Sequence, residues 1–272
     1  MYKITLTLLC IIISLNSFSR SIVVPTGGKP TGMGNAFVSQ SDAFSVYHNP
    51  AGLARFNQLS VSLFYENKYF VENMSVKSIV ATIPTPSAGT FSLQFNSFGA
   101  PQWAESNIGA SYALSLTEQL SAGVQLHYYG RRIPEANILV MNAGFDVGAI
   151  FQASEKTFLG ANISNLFTPE IRNTSYTEYI PWRIRLGGHT NFAPDFTLSY
   201  EIEKIETVST AVKLGGEWEA SEGIFFRAGF NTAPSRVFAG FGYLGNHIQF
   251  DIAFSYHYYL GYVPSSSIII SI

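Results

Sequence analysis

The chain has 272 residues, of which 12% are charged and 15% aromatic, and its formal net charge is −2. So few charges cannot coat a soluble domain, where about a quarter of residues are charged, and no basic excess exists to neutralise phosphates, which argues against nucleic-acid binding. Low charge, 22 Phe, 15 Tyr and 23 Gly, without a long apolar helix, point instead to a β-barrel that meets lipid.

At the N-terminus Lys3 precedes an apolar run from Ile4 to Ile13, followed by polar residues with Ser17 and Ser19 at small-residue cleavage positions. Residues 1–19 read as a secretory signal peptide cut near Ser19/Arg20. A transmembrane anchor would need about 20 apolar residues, and this run is shorter. Cys10, the only cysteine, lies inside the run, so a mature chain would have neither disulfide nor thiol chemistry.

Residues 20–57 lack strand alternation. They contain the stretch GMGNAFVSQSDAFSVYHNPAGLA, from Gly32 to Ala54. Ser41 or Asp42 can cap a short helix there by accepting backbone N–H bonds. Asn49 can cap the next turn, with Pro50 at its first position, where a missing N–H costs nothing. Gly32 and Gly34 permit close backbone approach or positive φ. Two nucleotide-site readings fail. In Thr26–Gly32 (TGGKPTG), Pro30 follows the lysine where a phosphate loop needs Ser or Thr. GMGNAF has no strand–helix–strand unit around it.

From Gln58 to Ile272 the pattern changes to period two. Phe91, Leu93 and Phe95 alternate with Ser92, Gln94 and Asn96. Leu120, Ala122, Val124, Leu126 and Tyr128 alternate with Ser121, Gly123, Gln125, His127 and Tyr129. Ile248, Phe250, Ile252 and Phe254 alternate with Gln249, Asp251, Ala253 and Ser255. Such alternation gives a strand one apolar and one polar face. Short turns at 85–89, 116–120, 154–157, 193–195, 220–223 and 244–246 interleave with other connections, several of them longer, the longest at 167–180. This predicts an all-β fold: a transmembrane antiparallel barrel over 58–272 with about 14 strands, tight turns and both chain ends on the periplasmic side, loops outside. A soluble sandwich or propeller also alternates, but it needs far more charge on its outer face. The last strand ends in SSSIIISI, with Ile268, Ile270 and Ile272 on one face, and lacks the aromatic terminal residue of many such barrels.

If the apolar faces meet lipid, the polar faces line the lumen. Arg183 and Arg185 then point inward, as do Glu201 and Glu203, Lys213, Glu217 and Glu219, then Arg227, Arg236 and Asp251. Successive strands tend to present opposite charges, so a lattice that fills and stiffens the lumen is favoured over a solute-selecting lining. Tyr65, Trp103, Tyr179, Trp182 and Tyr256 fit interfacial girdles. The five histidines, His48, His127, His189, His247 and His257, have no zinc spacing. No nucleophile elbow appears, and no nucleophile pairs with His127 or His257, which leaves a lipid-modifying barrel enzyme without a catalytic set. Asn73, Asn162 and Asn173 head chance sequons.

The pattern Gly32, Gly34, Ala36, Phe37, then Asp42, then Asn49, Pro50, Ala51, Gly52, Leu53 resembles the N-terminal signature of FadL-like outer-membrane proteins, and within them the PorV/PorQ branch of Bacteroidetes. The resemblance implies a hatch of short helices at 20–57, held inside the barrel ahead of the first strand. Ala36, Phe37, Val38, Ala43, Phe44, Val46 and Leu53 would pack on the lumen wall, as a plug rather than a ligand gate. It also implies a Gram-negative outer membrane and a non-enzymatic role without cofactor or metal. PorV-type members serve type IX secretion, with outer-membrane lipids around them and a translocon subunit or secreted cargo as partners. The other branch carries hydrophobic compounds across the outer membrane, and that is the alternative. The longest connection here is short and polar, a poor apolar groove.

Overall fold

A computed structural model describes residues 26–85, 88–100, 103–133, 138–166 and 180–272. The expected signal peptide with Cys10, residues 20–25, and most of the 167–180 connection with Asn173 and Tyr179 lie outside the described residues.

Fourteen strands follow in chain order: β1 (Ser60–Asn67), β2 (Ser75–Thr85), β3 (Gly89–Ala100), β4 (Trp103–Ser115), β5 (Leu120–Ile133), β6 (Ile138–Gln152), β7 (Thr157–Ser164), β8 (Arg183–Ala193), β9 (Phe196–Ile205), β10 (Ala211–Ser221), β11 (Ile224–Thr232), β12 (Ser235–Leu244), β13 (Ile248–His257) and β14 (Gly261–Ser271). Each pairs antiparallel with its neighbour in sequence, and β1 closes on β14 with Ser60 opposite Ser271. The wall is thus closed, although β6 pairs with β7 only from Val147 to Gln152, so that among the described residues the first half of β6 has a strand partner on one side alone.

The faces are inverted relative to a soluble barrel. Leu93 is 61% exposed and Leu126 is 64% exposed, while Gln94 and Gln125 beside them are buried. Along β9, Tyr200 and Ile202 face out and Glu201 and Glu203 face in. An apolar exterior of this extent belongs in lipid, not water. No helix among the described residues is long and apolar enough to cross a membrane; the crossing elements are strands.

One end of the barrel carries Ser60, Ser271 and tight turns. Ser221 pairs directly with Ile224, and Gly223 supplies the positive φ of 73° at that turn. The other end carries longer connections, as between Asn67 and Ser75, beside short ones. There Thr232 pairs with Ser235 and His257 with Gly261, so these two connections are hairpins.

Residues 26–56 run along the inner face of the wall, touching strands around the whole circumference. They form one short helix, α1 (Gly28–Gly32), and two 3-10 turns, Ala43–Tyr47 and Pro50–Arg55. Met33, Phe37, Phe44, Leu53 and Asn49 are fully buried. Space for this backbone comes from inward-facing glycines in the wall. A Cβ on Gly215 would lie 2.3 Å from the Met33 carbonyl oxygen, one on Gly229 2.2 Å from the Gly34 nitrogen, and one on Gly123 2.4 Å from the Ala51 nitrogen. Gly215→Ala is therefore expected to cost about 1–3 kcal/mol by overpacking, read by urea unfolding in lipid vesicles. The same substitution in a chain lacking residues 26–56 should be near neutral. Equal losses in both backgrounds would place the clash elsewhere.

Candidate functional site

The inner segment and the wall it touches form the candidate site. Its local structure starts from caps. Asp42 Oδ1 accepts from the Phe44 N–H at 2.7 Å, and Ser45 Oγ accepts from the Asp42 N–H at 3.0 Å, a reciprocal cap on the first 3-10 turn. Ser41 does not cap; its hydroxyl donates to the Gly52 carbonyl at 2.7 Å. Asn49 Oδ1 accepts from the Ala51 N–H at 3.1 Å, with Pro50 opening the second turn. Gly34 takes a φ of 65°, and Gly32 lies against Gly240 of β12. Ala36 and Ala51 are buried with Phe37 and Leu53.

On one side the segment meets charge. Arg185 and Glu203 are register partners on β8 and β9, and the guanidinium donates to Glu203 Oε2 at 2.8 Å. Lys213 on β10 faces Glu201 and reaches Oε1 at 2.7 Å and Glu203 Oε2 at 3.1 Å. Arg183 stands 3.7 Å from Glu203. A second group joins Arg227 to Glu217 at 2.6 Å and to Asp251 at 2.7 Å. Arg227 on β11 reaches Asp251 on β13 across β12, where Gly242 has no side chain to block it; a Cβ there would sit 2.4 Å from an Arg227 nitrogen. Glu219 and Arg236 stand apart from these groups. Glu219 accepts from Gly223 N–H in the turn, and Arg236 donates to the Tyr69 hydroxyl.

The same groups hold the segment's backbone. Glu201 Oε2 accepts from the N–H groups of Phe37 at 3.0 Å and Val38 at 2.9 Å. Arg185 donates to the carbonyls of Tyr47 at 3.0 Å and His48 at 2.7 Å. Lys29 reaches Glu217 at 2.9 Å, and Gly28 N–H donates to Ser267 Oγ at 3.0 Å. Asn49 Nδ2 donates to the carbonyls of Val38, Ala149 and Ala161. The charges thus pair with each other and with a buried backbone at once. Buried ion pairs of this kind add little net stability when intact, but cost several kcal/mol when one partner is removed.

On the opposite side the contact is apolar. Phe44, Val46, Tyr47 and Leu53 pack with Phe64, Val76, Val80, Ala113 and Ile269. These wall residues point inward, so the rule that apolar faces meet lipid fails on β1, β2 and β14. Their strands still alternate, with exposed Leu63, Ile79 and Ile270 outside, but both faces are apolar in part. Nothing in the period marks which apolar residue faces in when its neighbours are Ser and Thr.

Burial raises the Asp42 carboxyl to about 7, against the opposing pull of Lys29. The same burial, helped by Arg185, holds His48 well below the usual imidazole range, so it is neutral. Because the folded value of Asp42 lies above its ordinary 3.8, its contribution to stability is complete below that pH and is lost as pH rises through about 7. Unfolding midpoints measured across this window should fall with rising pH. Asp42→Asn, which keeps the capping oxygen, should remove that part of the slope; an unchanged slope would assign it to another group.

Beside the segment lies a partly enclosed polar cavity of about 20 Å³. Gln94, Gln125, His127, Asp146 and Asn165 contribute its polar lining, and Val46 and Tyr47 its inner flank. Sequence reasoning missed it. Its residues come from β3 to β8 and the inner segment, and no motif joins them.

No family model and no curated sequence matches the chain. Solved structures do match in shape. The Ralstonia pickettii toluene transporter TbuX aligns with a TM-score of 0.69 at 11% identity, over 90% of this chain and 96% of that one. The P. putida toluene transporter TodX aligns with a TM-score of 0.66 at 12% identity, over 90% and 98%. A Pseudomonas aeruginosa FadL homologue aligns with 0.64 at 13%, over 91% and 99%. The PorV/PorQ likeness rests on the Gly32–Leu53 motif alone. With its closed fourteen-strand antiparallel wall, this chain has the fold of the FadL-type outer-membrane barrels.

Proposed function

We propose that this chain is a non-enzymatic barrel of the Gram-negative outer membrane that passes small hydrophobic compounds, with residues 26–56 as a plug that keeps the lumen from acting as an open pore. The observation that carries the reading is the whole-length correspondence to toluene transporters. The apolar exterior supports residence in lipid, and the buried inner segment supports the plug. Export by residues 1–19 and periplasmic chain ends belong to the same reading.

The test is flux of labelled toluene into proteoliposomes, together with single-channel recording. Intact protein should carry toluene above protein-free vesicles and show no wide stable conductance. A chain without residues 26–56 should open a stable conductance. Absence of toluene flux would sink the transport reading, and a wide pore in the intact chain would sink the plug.

A second reading, a PorV/PorQ-type component of type IX secretion or surface-protein assembly, is favoured by the Gly32–Leu53 motif and by the polar, densely paired lumen. Its partner would be a translocon subunit or secreted cargo. Co-purification of such a protein from native outer membrane, without toluene flux, would select it.

A further inference from the structure

The cavity beside the inner segment has a chemistry of its own. Gln94 and Gln125 are 4% and 2% exposed, and the side-chain oxygen Oε1 of each is buried with no hydrogen-bond partner. Their amides converge over Gly109 of β4. A Cβ there would lie 2.8 Å from Gln94 Nε2 and 3.0 Å from Gln125 Nε2. Gly109 thus leaves the room into which both amides fold. Asp146, by contrast, is occupied: its Oδ1 accepts from the Asn165 N–H at 2.9 Å, with His127 Nε2 3.6 Å away. His127 Nε2 also meets Asn165 Oδ1 at 3.0 Å.

Two buried carbonyl oxygens call for a hydrogen-bond donor, because leaving an acceptor unpaired costs its full desolvation. A hydrocarbon brings no donor. Asn107 Nδ2, buried here without a partner, and the Arg183 guanidinium would meet a carboxylate, but a carboxylate brings no donor for the two amide oxygens and would face Asp146. An ammonium brings donors, but the Arg183 guanidinium also lines this cavity, and burying a charge that has no free counterion is expensive. A hydroxyl supplies one donor without charge. The volume of about 20 Å³ admits a group of that size, near that of one water, and not an aromatic ring. The ring would lie outside this space, against Val46, Tyr47 and Tyr129, which also line the cavity.

We infer that this cavity binds the hydroxyl of small uncharged hydrophobic alcohols, so that among the compounds handled the hydroxylated ones bind more tightly than plain hydrocarbons. The inference rests on the transport reading and names its substrate class. Tyr47 ties the site to the inner segment, since its hydroxyl bonds Ser78 Oγ at 2.6 Å and its carbonyl takes Arg185.

Four probes with one ring and different heads decide it: benzyl alcohol, benzylamine, benzoate and toluene. Binding is read by ligand-observed NMR to the protein in lipid nanodiscs, with empty nanodiscs subtracting partition into lipid. Benzyl alcohol should bind about tenfold tighter than each of the others. Gln125→Leu should bring it to the toluene level. Gly109→Ala, which presses on both glutamine amides without removing a polar group, should weaken it several-fold; retained gel mobility and circular dichroism establish folding of each variant. Equal binding of any other probe, no binding of benzyl alcohol because water alone occupies the cavity, or full binding by both variants overturns the inference. Flux separates the two claims. If toluene enters proteoliposomes while the alcohol shows no preference, the transport reading stands and this inference falls. If toluene does not enter, the transport reading itself falls.

Discussion

Glu201→Leu is expected to lower stability by about 3–5 kcal/mol and to loosen the inner segment from the wall while the barrel stays closed. Glu201 is 1% exposed and holds three partners at once. Oε1 takes Lys213, and Oε2 takes the Phe37 and Val38 N–H groups. Without it, Lys213 keeps only Glu203 at 3.1 Å, Arg185 loses one of two acids, and two backbone donors lose their acceptor. A buried cation deprived of its partner is the costly part. The strands remain paired because their ladders do not pass through Glu201's side chain. Two measurements check this: urea unfolding in vesicles, and maleimide labelling after Ser39→Cys, at a position buried in the parent chain. Labelling should be slow in the parent and fast in the Glu201→Leu background. Glu201→Gln, which keeps an acceptor oxygen but not the charge, should fall between. Parental stability with a protected thiol would show that the segment is held by packing alone.

Asn49→Asp should cost a similar amount, about 3–5 kcal/mol, although it changes almost no volume. The Asn49 amide nitrogen donates to Val38, Ala149 and Ala161 carbonyls at 2.7, 3.1 and 3.2 Å. Aspartate would put an acceptor, and a charge, in front of three acceptors. Its other oxygen could still cap Ala51. The loss therefore comes from the wall-facing half of the side chain and not from the cap. Asn49→Leu would remove both halves of a side chain whose Oδ1 occupies the space left by Gly148, 1.8 Å from where a Cβ there would sit. If Asn49→Asp unfolds at the parental urea concentration, the three carbonyls do not depend on this donor. If it recovers stability at low pH, where a protonated carboxyl can donate again, the assignment is strengthened.

Much of this architecture can be read from the chain. Phe91, Leu93 and Phe95 against Ser92, Gln94 and Asn96 already tell which residues face out, because a strand turns successive side chains to opposite faces. Scarcity of charge tells which face meets lipid. The inward set Arg183, Arg185, Glu201, Glu203, Lys213, Glu217, Arg227 and Asp251 follows from the same parity. Asn49-Pro50 marks a helical start through local hydrogen bonding that needs no distant partner. Between Ser41 and Asp42 the choice stayed open, since either hydroxyl or carboxylate can reach the next turn.

Other features depend on register and closure. Arg227 meets Asp251 only because β12 presents Gly242 between them. Gly123, Gly215 and Gly229 read as weak strand residues until the backbone of residues 26–56 lies against them. Val76, Val80 and Ile269 face inward like the polar residues of their strands, and only Phe44 and Leu53 opposite explain why they are apolar. Gln94, Gln125 and Asp146 gather around one cavity from three strands. Alternation is a property of two adjacent residues, so a short stretch of sequence carries it. Which side chains meet across a lumen is set by the stagger of fourteen strands and by the segment enclosed among them. Contacts such as Phe37 with Glu201 span 164 positions, and no local pattern encodes them.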